Sequence, residues 1–282
     1  MNSLDTGQDC RVWKRDLPFA GIENARDMGS IVMQDGRKVR SGLLIRSGNL
    51  SQATDAELVE LKERYRLTNV FDFRFEAEAE SAPDRVIDGV SYTHLSTLPK
   101  ALVEVFAASS PDTSRMASKE LMAIIMKCAF SPKMQTMARQ LYPAIVTDGI
   151  SQRYYGEFLR GVLRAKGGVL WHCSQGKDRA GWASAFVLAA LGAGRDVIVE
   201  DFDLSNQSYA PYLKAMTAEI RKQGGDGEAL AFIRAMVGVS KANFEATLDL
   251  IDEKYGSLSQ YVETQLGFSK EEQQQFRIKY LE

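Results

Sequence analysis

A short apolar segment, a polar loop and a long apolar segment follow one another between residues 167 and 191, and this succession constrains the fold more than any other part of the chain. The run GGVLW (167–171) is typical of a helix end followed by a buried strand. The run ASAFVLAAL (183–191) is apolar on every side, as in a buried helix. The intervening run WHCSQGKDRAG (171–181) is therefore predicted to be a strand-to-helix loop.

Patterns of helix and strand alternate along much of the chain. Thr54 and Glu57 have the spacing of a capping box and precede apolar residues on one helical face, which predicts a helix. The run LTNVFDF (67–73) predicts a buried strand, and residues 154–164 and 243–255 predict helices. Strands that alternate with helices indicate an α/β fold with a central, mainly parallel sheet flanked by helices.

Residues 98–150 depart from this alternation. Prolines interrupt short helical pieces there, and the segment holds Met116, Met122, Met126, Met134 and Met137. Because methionine is an adaptable filler of protein cores, we interpret the segment as a helical insertion with methionines packed inside it, in preference to a mobile lid. The predicted organisation is an N-terminal extension (1–20) and a single domain (21–282) that carries this helical lid insertion.

Composition restricts the classes of partner and cofactor. The 282 residues are 45% hydrophobic and carry a formal charge of -2, which gives no general attraction to nucleic acid or to an anionic membrane. Cys10, Cys128 and Cys173 form neither a disulfide framework nor a metal-ligand pattern with the histidines, so we expect no metal and no other cofactor. The chain has no apolar signal region, which favours a reducing, cytoplasmic location and leaves other routes of export open. Nothing in the sequence specifies an oligomeric state.

The predicted loop contains a cysteine and an arginine separated by five residues. Between Cys173 and Arg179 the chain can curl so that successive backbone N–H groups point at one tetrahedral anion, and Gly176 permits the backbone angles required. The helix that begins near Arg179 adds its N-terminal partial charge, which favours a bound anion and the thiolate form of the cysteine. The planar guanidinium can hold two phosphoryl oxygens. These groups predict phosphoester hydrolysis through a phosphocysteine.

The neighbours of Cys173 complete the candidate site. The predicted phosphate-binding residues are Ser174, Gln175, Gly176, Lys177, Asp178 and Arg179. We expect His172 to orient the loop by hydrogen bonding rather than to bind a metal or act as a base, because no second histidine or cysteine accompanies it. The alternative is an inert core cysteine, which the strand before the loop and the helix after it make less favoured.

The run HCSQGKDRAG resembles the HCxxGKDRTG signature of the atypical tyrosine phosphatases grouped with the mycobacterial phosphatase B and its Listeria relative. Similarity extends to NARDMGS (24–30), DGRKVRSGLLIRSGNLS (35–51) and VFDFRFEAEAESAPD (70–84), and to two segments near the carboxyl terminus. The resemblance covers most of residues 20–282. Only the segment from about 98 to 150 has no clear counterpart, and it corresponds to a variable helical lid of the family.

The resemblance implies a Cys-x5-Arg phosphatase fold that acts without metal. It implies Cys173 as the nucleophile, Arg179 as the phosphate clamp, and Lys177 with Asp178 as the paired charges of the family. A mobile lysine in the loop would also attract a dianion or a second phosphate on the substrate. The family usually has threonine or serine at position 180, and that hydroxyl would hydrogen bond the thiolate and help it leave the phosphoenzyme. This chain has Ala180 there, so turnover is expected to be slow.

The sequence does not fix the group that protonates the leaving oxygen. No tryptophan is followed by the proline and aspartate of the usual donor loop. Asp72 ends a strand expected beside that of Cys173, which would place its carboxylate at the same sheet edge. Asp178 belongs to the loop itself, in a spacing that also resembles the myotubularin loop, where that aspartate is the proposed acid. Asp72 is slightly favoured, and Asp27 is expected to brace the loop as a turn or cap.

The predicted activity is hydrolysis of phosphomonoesters, with phosphotyrosine protein as the first substrate and dual specificity left open. Phosphoinositides are an alternative substrate class, because Lys177 makes the loop basic. A phosphate-reading module that binds without cleaving is an alternative of another class, kept open by Ala180 and opposed by the intact Cys173, Arg179 and Asp72. A rhodanese or an arsenate reductase fits less well. The expected partners are a phosphorylated protein or a phosphoinositide, with no nucleic acid and no stable membrane insertion.

Overall fold

The computed structural model describes residues 15–99, 102 and 118–282. Most of the N-terminal extension expected at 1–20, with Cys10, lies outside the described residues, as does the middle of the insertion, with Met116. The described part of the insertion consists of two helices and the segments that flank them.

Within the described residues, a five-stranded sheet forms the centre of the molecule. Its strands are β1 (Arg26–Asp27), β2 (Leu44–Ser47), β3 (Leu67–Asp72), β4 (Ser91–His94) and β5 (Gly168–His172). The spatial order is β1-β2-β5-β3-β4. Strands β2, β5, β3 and β4 are parallel, and β1 is antiparallel to β2. The mainly parallel sheet predicted from the sequence is confirmed.

The four parallel strands end at the same level. His172 pairs with Ser47 on one side and with Asp72 on the other, and Asp72 pairs in turn with His94. The carboxyl ends of the strands therefore form one edge of the sheet, and the loop that follows β5 leaves the sheet at this edge. Ligands of open α/β sheets bind outside the carboxyl ends of the strands.

Helices surround this sheet. They are α1 (Asp55–Glu63), α2 (Glu76–Ser81), α3 (Ser118–Ala129), α4 (Pro132–Thr147), α5 (Gly149–Arg164), α6 (Arg179–Leu191), α7 (Arg195–Asp203), α8 (Ser205–Ser208), α9 (Ala210–Lys222), α10 (Gly227–Val237), α11 (Lys241–Tyr255), α12 (Leu258–Thr264) and α13 (Lys270–Tyr280). Among the described residues, no helix combines the length and the apolar character needed to cross a membrane.

Alternate residues of the central strands face two different cores. Val169 and Trp171 of β5 enter a large core shared with α5, α6 and the helices near the carboxyl terminus, whereas Leu170 enters a smaller core shared with α1. Burial on both faces explains why the strand is a continuous apolar run rather than an alternating one. Helix α6 is buried from Ala180 to Leu191, as its composition predicts.

The two helices of the insertion pack against α9 and α10. A third cluster joins them, in which Met126 is 6% exposed and Met134 is partly buried. The part of the insertion that the structure describes therefore uses these two methionines as core residues, in line with the interpretation preferred from the sequence.

Helix α5 provides a test of this packing. A Cβ at Gly156, in the middle of the helix, would lie against the backbone carbonyl of Leu266, far inside van der Waals contact, whereas a Cβ at Gly149 meets no atom within 4 Å. Gly156→Ala should lower the free energy of unfolding by roughly 1–3 kcal/mol despite the better helix propensity of alanine. Gly149→Ala on the same helix should leave it nearly unchanged. Urea unfolding of both variants measures the difference, and equal stabilities would contradict the packing described.

Candidate active site

The loop between β5 and α6 is held by its carbonyl oxygens. The carbonyl of Ser174 accepts from Asn49 Nδ2 at 2.8 Å, and that of Gln175 accepts from Tyr209 Oη at 2.9 Å. Arg46 donates to the next two carbonyls, at 2.9 Å each. Among the described residues, none accepts a hydrogen bond from the backbone N–H groups of residues 174–178. With four successive carbonyls bound by the surrounding protein, the N–H groups are left for an anion.

Gly176 sits at the tightest point of this loop. Its φ of +67° lies in the left-handed region, and an added Cβ would collide with the backbone of Ser47. Asn24 Nδ2 donates to its carbonyl oxygen at 3.0 Å, beside the hydrogen bond from Arg46. Glycine is the residue that tolerates both the conformation and the close approach.

Arg46 is buried beneath the loop with its charge partly compensated. Its Nη1 lies 3.0 Å from Asp201 Oδ2, and the other oxygen of Asp201 lies 3.3 Å from Arg15 and 3.6 Å from Arg26. Burial, together with the nearby Arg26, lowers the pKa of Arg46 to about 9, against the attraction of Asp201. Three arginines thus surround one carboxylate, which leaves an excess of positive charge below the loop.

Cys173 begins the loop as a free thiol that is 2% exposed. The sulfur lies within electrostatic range of Arg46, Lys177 and Arg179. Burial lowers the pKa of Lys177, and negative charge on Asp178 and Cys173 acts against that lowering. Because the thiol is buried, a phosphorus atom can reach it only by entering the loop.

Arg179 pairs with an acidic residue that the sequence analysis did not select. Its Nη1 and Nη2 lie 2.5 and 2.8 Å from the two oxygens of Glu78, which is on α2, and Ser174 Oγ donates to the same carboxylate at 2.6 Å. Burial would raise the pKa of Glu78, but Arg179 and Ser174 hold it below its usual value. Among the described residues, the Nε–H of Arg179 has no partner and stays available to a ligand.

Lys177 does not point freely into the loop, which differs from the expectation of a mobile point charge. It is 4% exposed, and its Nζ donates to the carbonyls of Met236 and Gly238 at the end of α10, the latter at 2.9 Å. The carbonyl ends of a helix attract cations, which explains this placement.

Asp178 lies in the loop and contacts the insertion. Tyr142 Oη on α4 donates to Asp178 Oδ1 at 2.6 Å, and Asp178 Oδ2 lies 3.8 Å from Lys177 Nζ. Burial raises the pKa of Tyr142 well above its usual value, and the charge of Asp178 raises it further, so the phenol stays a donor. Sequence reasoning gave no signal for this contact, because α4 has no counterpart in the family pattern.

Asp72 lies at the same sheet edge but is bound to Arg74. Both of its oxygens accept from that guanidinium, at 2.7 to 2.9 Å, and Oδ1 also accepts the backbone N–H of Arg74. His172 is fully buried beside it, with Nε2 3.0 Å from Asp84 Oδ2 and Nδ1 3.2 Å from its neighbour's carbonyl. The carboxylate is thus part of a buried ion-pair network behind the loop.

Asp72, Asp84 and His172 are also close enough to one another to share a metal ion. The guanidinium of Arg74 lies against both carboxylates, with Nη2 3.0 Å from Asp84. The guanidinium already occupies the carboxylate oxygens that a metal ion would need, so this donor set does not fit a second cation.

Asp27 braces a turn, as the sequence favoured. Its two oxygens accept the backbone N–H groups of Gly29 at 2.8 Å and Gly42 at 2.7 Å. Burial raises the pKa of Asp27, and these two hydrogen bonds oppose that change. It supports the segment before β2 rather than the loop itself.

Four of the residues that sequence reasoning missed lie inside segments that carry the family resemblance. Asn24 belongs to NARDMGS, Arg46 to LLIRSGN, Glu78 to VFDFRFEAEAESAPD and Tyr209 to LSNQSY. Their positions in the resemblance were the available signal. Their contacts with the loop span up to 152 residues of sequence, which no local pattern specifies.

Comparisons with known proteins agree with this site. The profile of the tyrosine phosphatase family matches residues 17–282. The triple specificity protein phosphatase PtpB of Mycobacterium tuberculosis is 34% identical over 269 residues, which cover 88% of this chain and 92% of that protein. A Cupriavidus necator protein classed by name among the tyrosine-protein phosphatases is 29% identical over 252 residues, 88% of this chain and 83% of that protein. The chain belongs to the tyrosine phosphatase family.

Proposed function

We propose that this enzyme hydrolyses phosphomonoesters through a phosphocysteine on Cys173, with phosphotyrosine protein as its first substrate. One observation carries the proposal: a loop whose N–H groups are unpartnered among the described residues holds a thiol at one end and a guanidinium at the other. This combination binds a tetrahedral dianion and presents a nucleophile to it. A module that only binds phosphate has no need of the thiol.

The reaction takes place in two steps. The thiolate of Cys173 attacks phosphorus, an S–P bond forms, and the P–O bond to the leaving group breaks as the leaving oxygen takes a proton from an acid. Water then attacks phosphorus and gives a proton to the same group, the S–P bond breaks, and inorganic phosphate leaves. Loop N–H groups and Arg179 stabilise the equatorial oxygens in both steps.

We infer that Asp178 is the acid, in preference to Asp72. Both oxygens of Asp72 accept hydrogen bonds from Arg74, so neither oxygen is free to reach a leaving group while that pair is intact. Asp178 Oδ1 is oriented by Tyr142, while among the described residues its Oδ2 has only the charge of Lys177 nearby, at 3.8 Å. Asp178 is also part of the loop whose N–H groups would bind the phosphate.

Glu78 and Lys177 have positioning roles in this proposal. Glu78 holds the Nη1 and Nη2 edge of the Arg179 guanidinium, which leaves the Nε–H for a phosphoryl group. Lys177, bound to the end of α10, contributes positive charge to the loop without touching substrate. His172 stays in its predicted role of orienting the loop, from a buried position beside Asp84.

The proposed substrate class draws on one relative and on the sequence analysis. The relative named as a triple specificity phosphatase supports tests with phosphoserine and phosphothreonine peptides beside phosphotyrosine. Phosphoinositides remain the alternative substrate from the sequence analysis. We also propose a reducing, cytoplasmic location, because the nucleophilic thiol has to stay reduced.

The activity can be tested directly. We expect the protein to release the phenol from a chromogenic aryl phosphate and Cys173→Ser to lose this activity to background. The Cys128→Ser variant is the matched control, since Cys128 is a free cysteine outside the loop, and it should keep the wild-type rate. Phosphotyrosine peptides should exceed phosphoserine peptides and phosphatidylinositol phosphates in kcat/KM. Release from neither form would favour the phosphate-reading module.

The proton donor can be identified from the leaving group. Asp178→Asn should lower kcat about 10²- to 10⁴-fold for phenyl phosphate, whose leaving group needs a proton, and far less for an aryl phosphate with a strongly acidic phenol. Asp72→Asn should lower stability, because Arg74 loses one of its two carboxylate partners, without this dependence on the leaving group. The opposite pattern for the two variants would assign the role to Asp72.

The Glu78–Arg179 pair should be visible in activity and in acid unfolding. Glu78→Gln should lower kcat/KM for the aryl phosphate roughly 10- to 100-fold, because the guanidinium loses its orientation. In the wild type the lowered pKa of Glu78 gives stability that is fully present above its ordinary value of 4.5 and is lost as the pH falls below it. The variant should therefore show a weaker pH dependence of unfolding in that range. Glu80→Gln, an exposed position on the same helix, is the control.

A further inference from the structure

A basic groove lies along α9, outside the phosphate-binding loop. Its volume is about 480 Å³, and Lys214 and Arg221 of α9 and Arg234 of α10 line it with no acidic residue among the lining side chains. Leu213 and Val239 give it an apolar floor. An apolar floor beneath separated cations suits an extended acidic segment better than a small inorganic ion.

The charges of this groove are uncompensated. Among the residues that the structure describes, Lys214, Arg221 and Arg234 form no salt bridge. The acids of the same two helices are engaged elsewhere, since Glu219 lies 3.7 Å from Lys222 and Glu228 pairs with Arg139. Uncompensated cations that share one groove create a positive potential that attracts anionic ligands.

The groove starts beside the phosphate-binding loop. Tyr209, directly before α9, donates to the carbonyl of Gln175, and the groove-lining residue Val239 directly follows Gly238, whose carbonyl binds Lys177. At about 1.5 Å per helical residue, Lys214 lies roughly 8 Å and Arg221 roughly 18 Å along the axis from Tyr209. An extended peptide covers that range with about two to six residues.

We propose that this groove binds acidic side chains of a phosphoprotein substrate, about two to six residues from the phosphorylated residue. The inference rests on the proposed phosphatase activity and adds a sequence preference to it. A concave groove with its cations spaced along a helix matches an extended peptide, whereas a membrane surface requires cations that converge on a plane. Specificity thus comes from charges outside the loop, while the loop recognises phosphate.

The test compares two phosphotyrosine peptides. One has aspartates from the second to the sixth position on each side of the phosphotyrosine, and the other has asparagines at the same positions. The readout is the ratio of their kcat/KM values, so that a change in the intrinsic rate cancels. The wild type should prefer the acidic peptide roughly tenfold at low salt, and the preference should shrink at high salt because exposed charges are screened.

A charge-reversed variant locates the preference. Lys214→Glu/Arg221→Glu/Arg234→Glu should reduce the ratio to one or below. Lys62→Glu/Lys133→Glu/Lys254→Glu, which changes the net charge equally at exposed positions outside the groove, should keep the wild-type ratio. An unchanged ratio in the groove variant, or a wild-type ratio of one, would overturn the assignment.

The outcomes separate this inference from the proposed activity. If the aryl phosphate is hydrolysed but both peptides react alike, the groove assignment fails and the phosphatase stands. If no phosphate ester is cleaved, the proposed activity fails, and fluorescence anisotropy with the unphosphorylated acidic peptide still decides whether the groove binds acidic segments. Cosedimentation with vesicles of phosphatidylserine that the groove reversal abolishes, without any peptide preference, would assign the groove to a membrane surface instead.

Discussion

The site depends on the hydrogen bonds that surrounding side chains donate to the carbonyl oxygens of the loop. A peptide unit carries its carbonyl and its N–H on opposite sides, so a side chain that binds the carbonyl from outside turns the N–H inward. Arg46 does this for two successive residues, and Asn24, Asn49 and Tyr209 act on the same loop. Without these donors, the loop would not be held with its N–H groups facing inward.

This attachment brings a cost in buried charge. Arg46 is fully buried, and with Arg15 and Arg26 it shares the single carboxylate of Asp201. Removal of one partner from such a network leaves an uncompensated buried charge, so its members tolerate substitution poorly. The same positive excess below the loop favours an anion above it. Stability and ligand binding therefore make opposite demands on these arginines.

The sequence was sufficient for the parts of the site that are local. The strand, the glycine turn and the buried helix follow one another in the chain, so periodicity and composition locate Cys173, Gly176 and Arg179 correctly at the carboxyl edge of a parallel sheet. Family resemblance added the remaining motifs. Both kinds of signal describe which residues occur, and neither describes which atoms meet.

The rest of the site depends on contacts between distant segments. Sequence could not show that Arg74 binds both oxygens of Asp72, or that the end of α10 binds Lys177, because these partners are specified only by packing. Glu78 was missed because it is one of three glutamates in the short helix EAEAES, and the sequence does not distinguish it from a solvated residue. The structure separates it by its two contacts with Arg179.

The hydrogen bond from Tyr142 to Asp178 joins the insertion, which has no clear counterpart in the family pattern, to the loop that carries the family signature. A substitution at Tyr142 therefore changes the surroundings of Asp178 while every residue of the loop stays the same. Two chains that share one loop sequence would differ at this aspartate if only one of them carried the phenol.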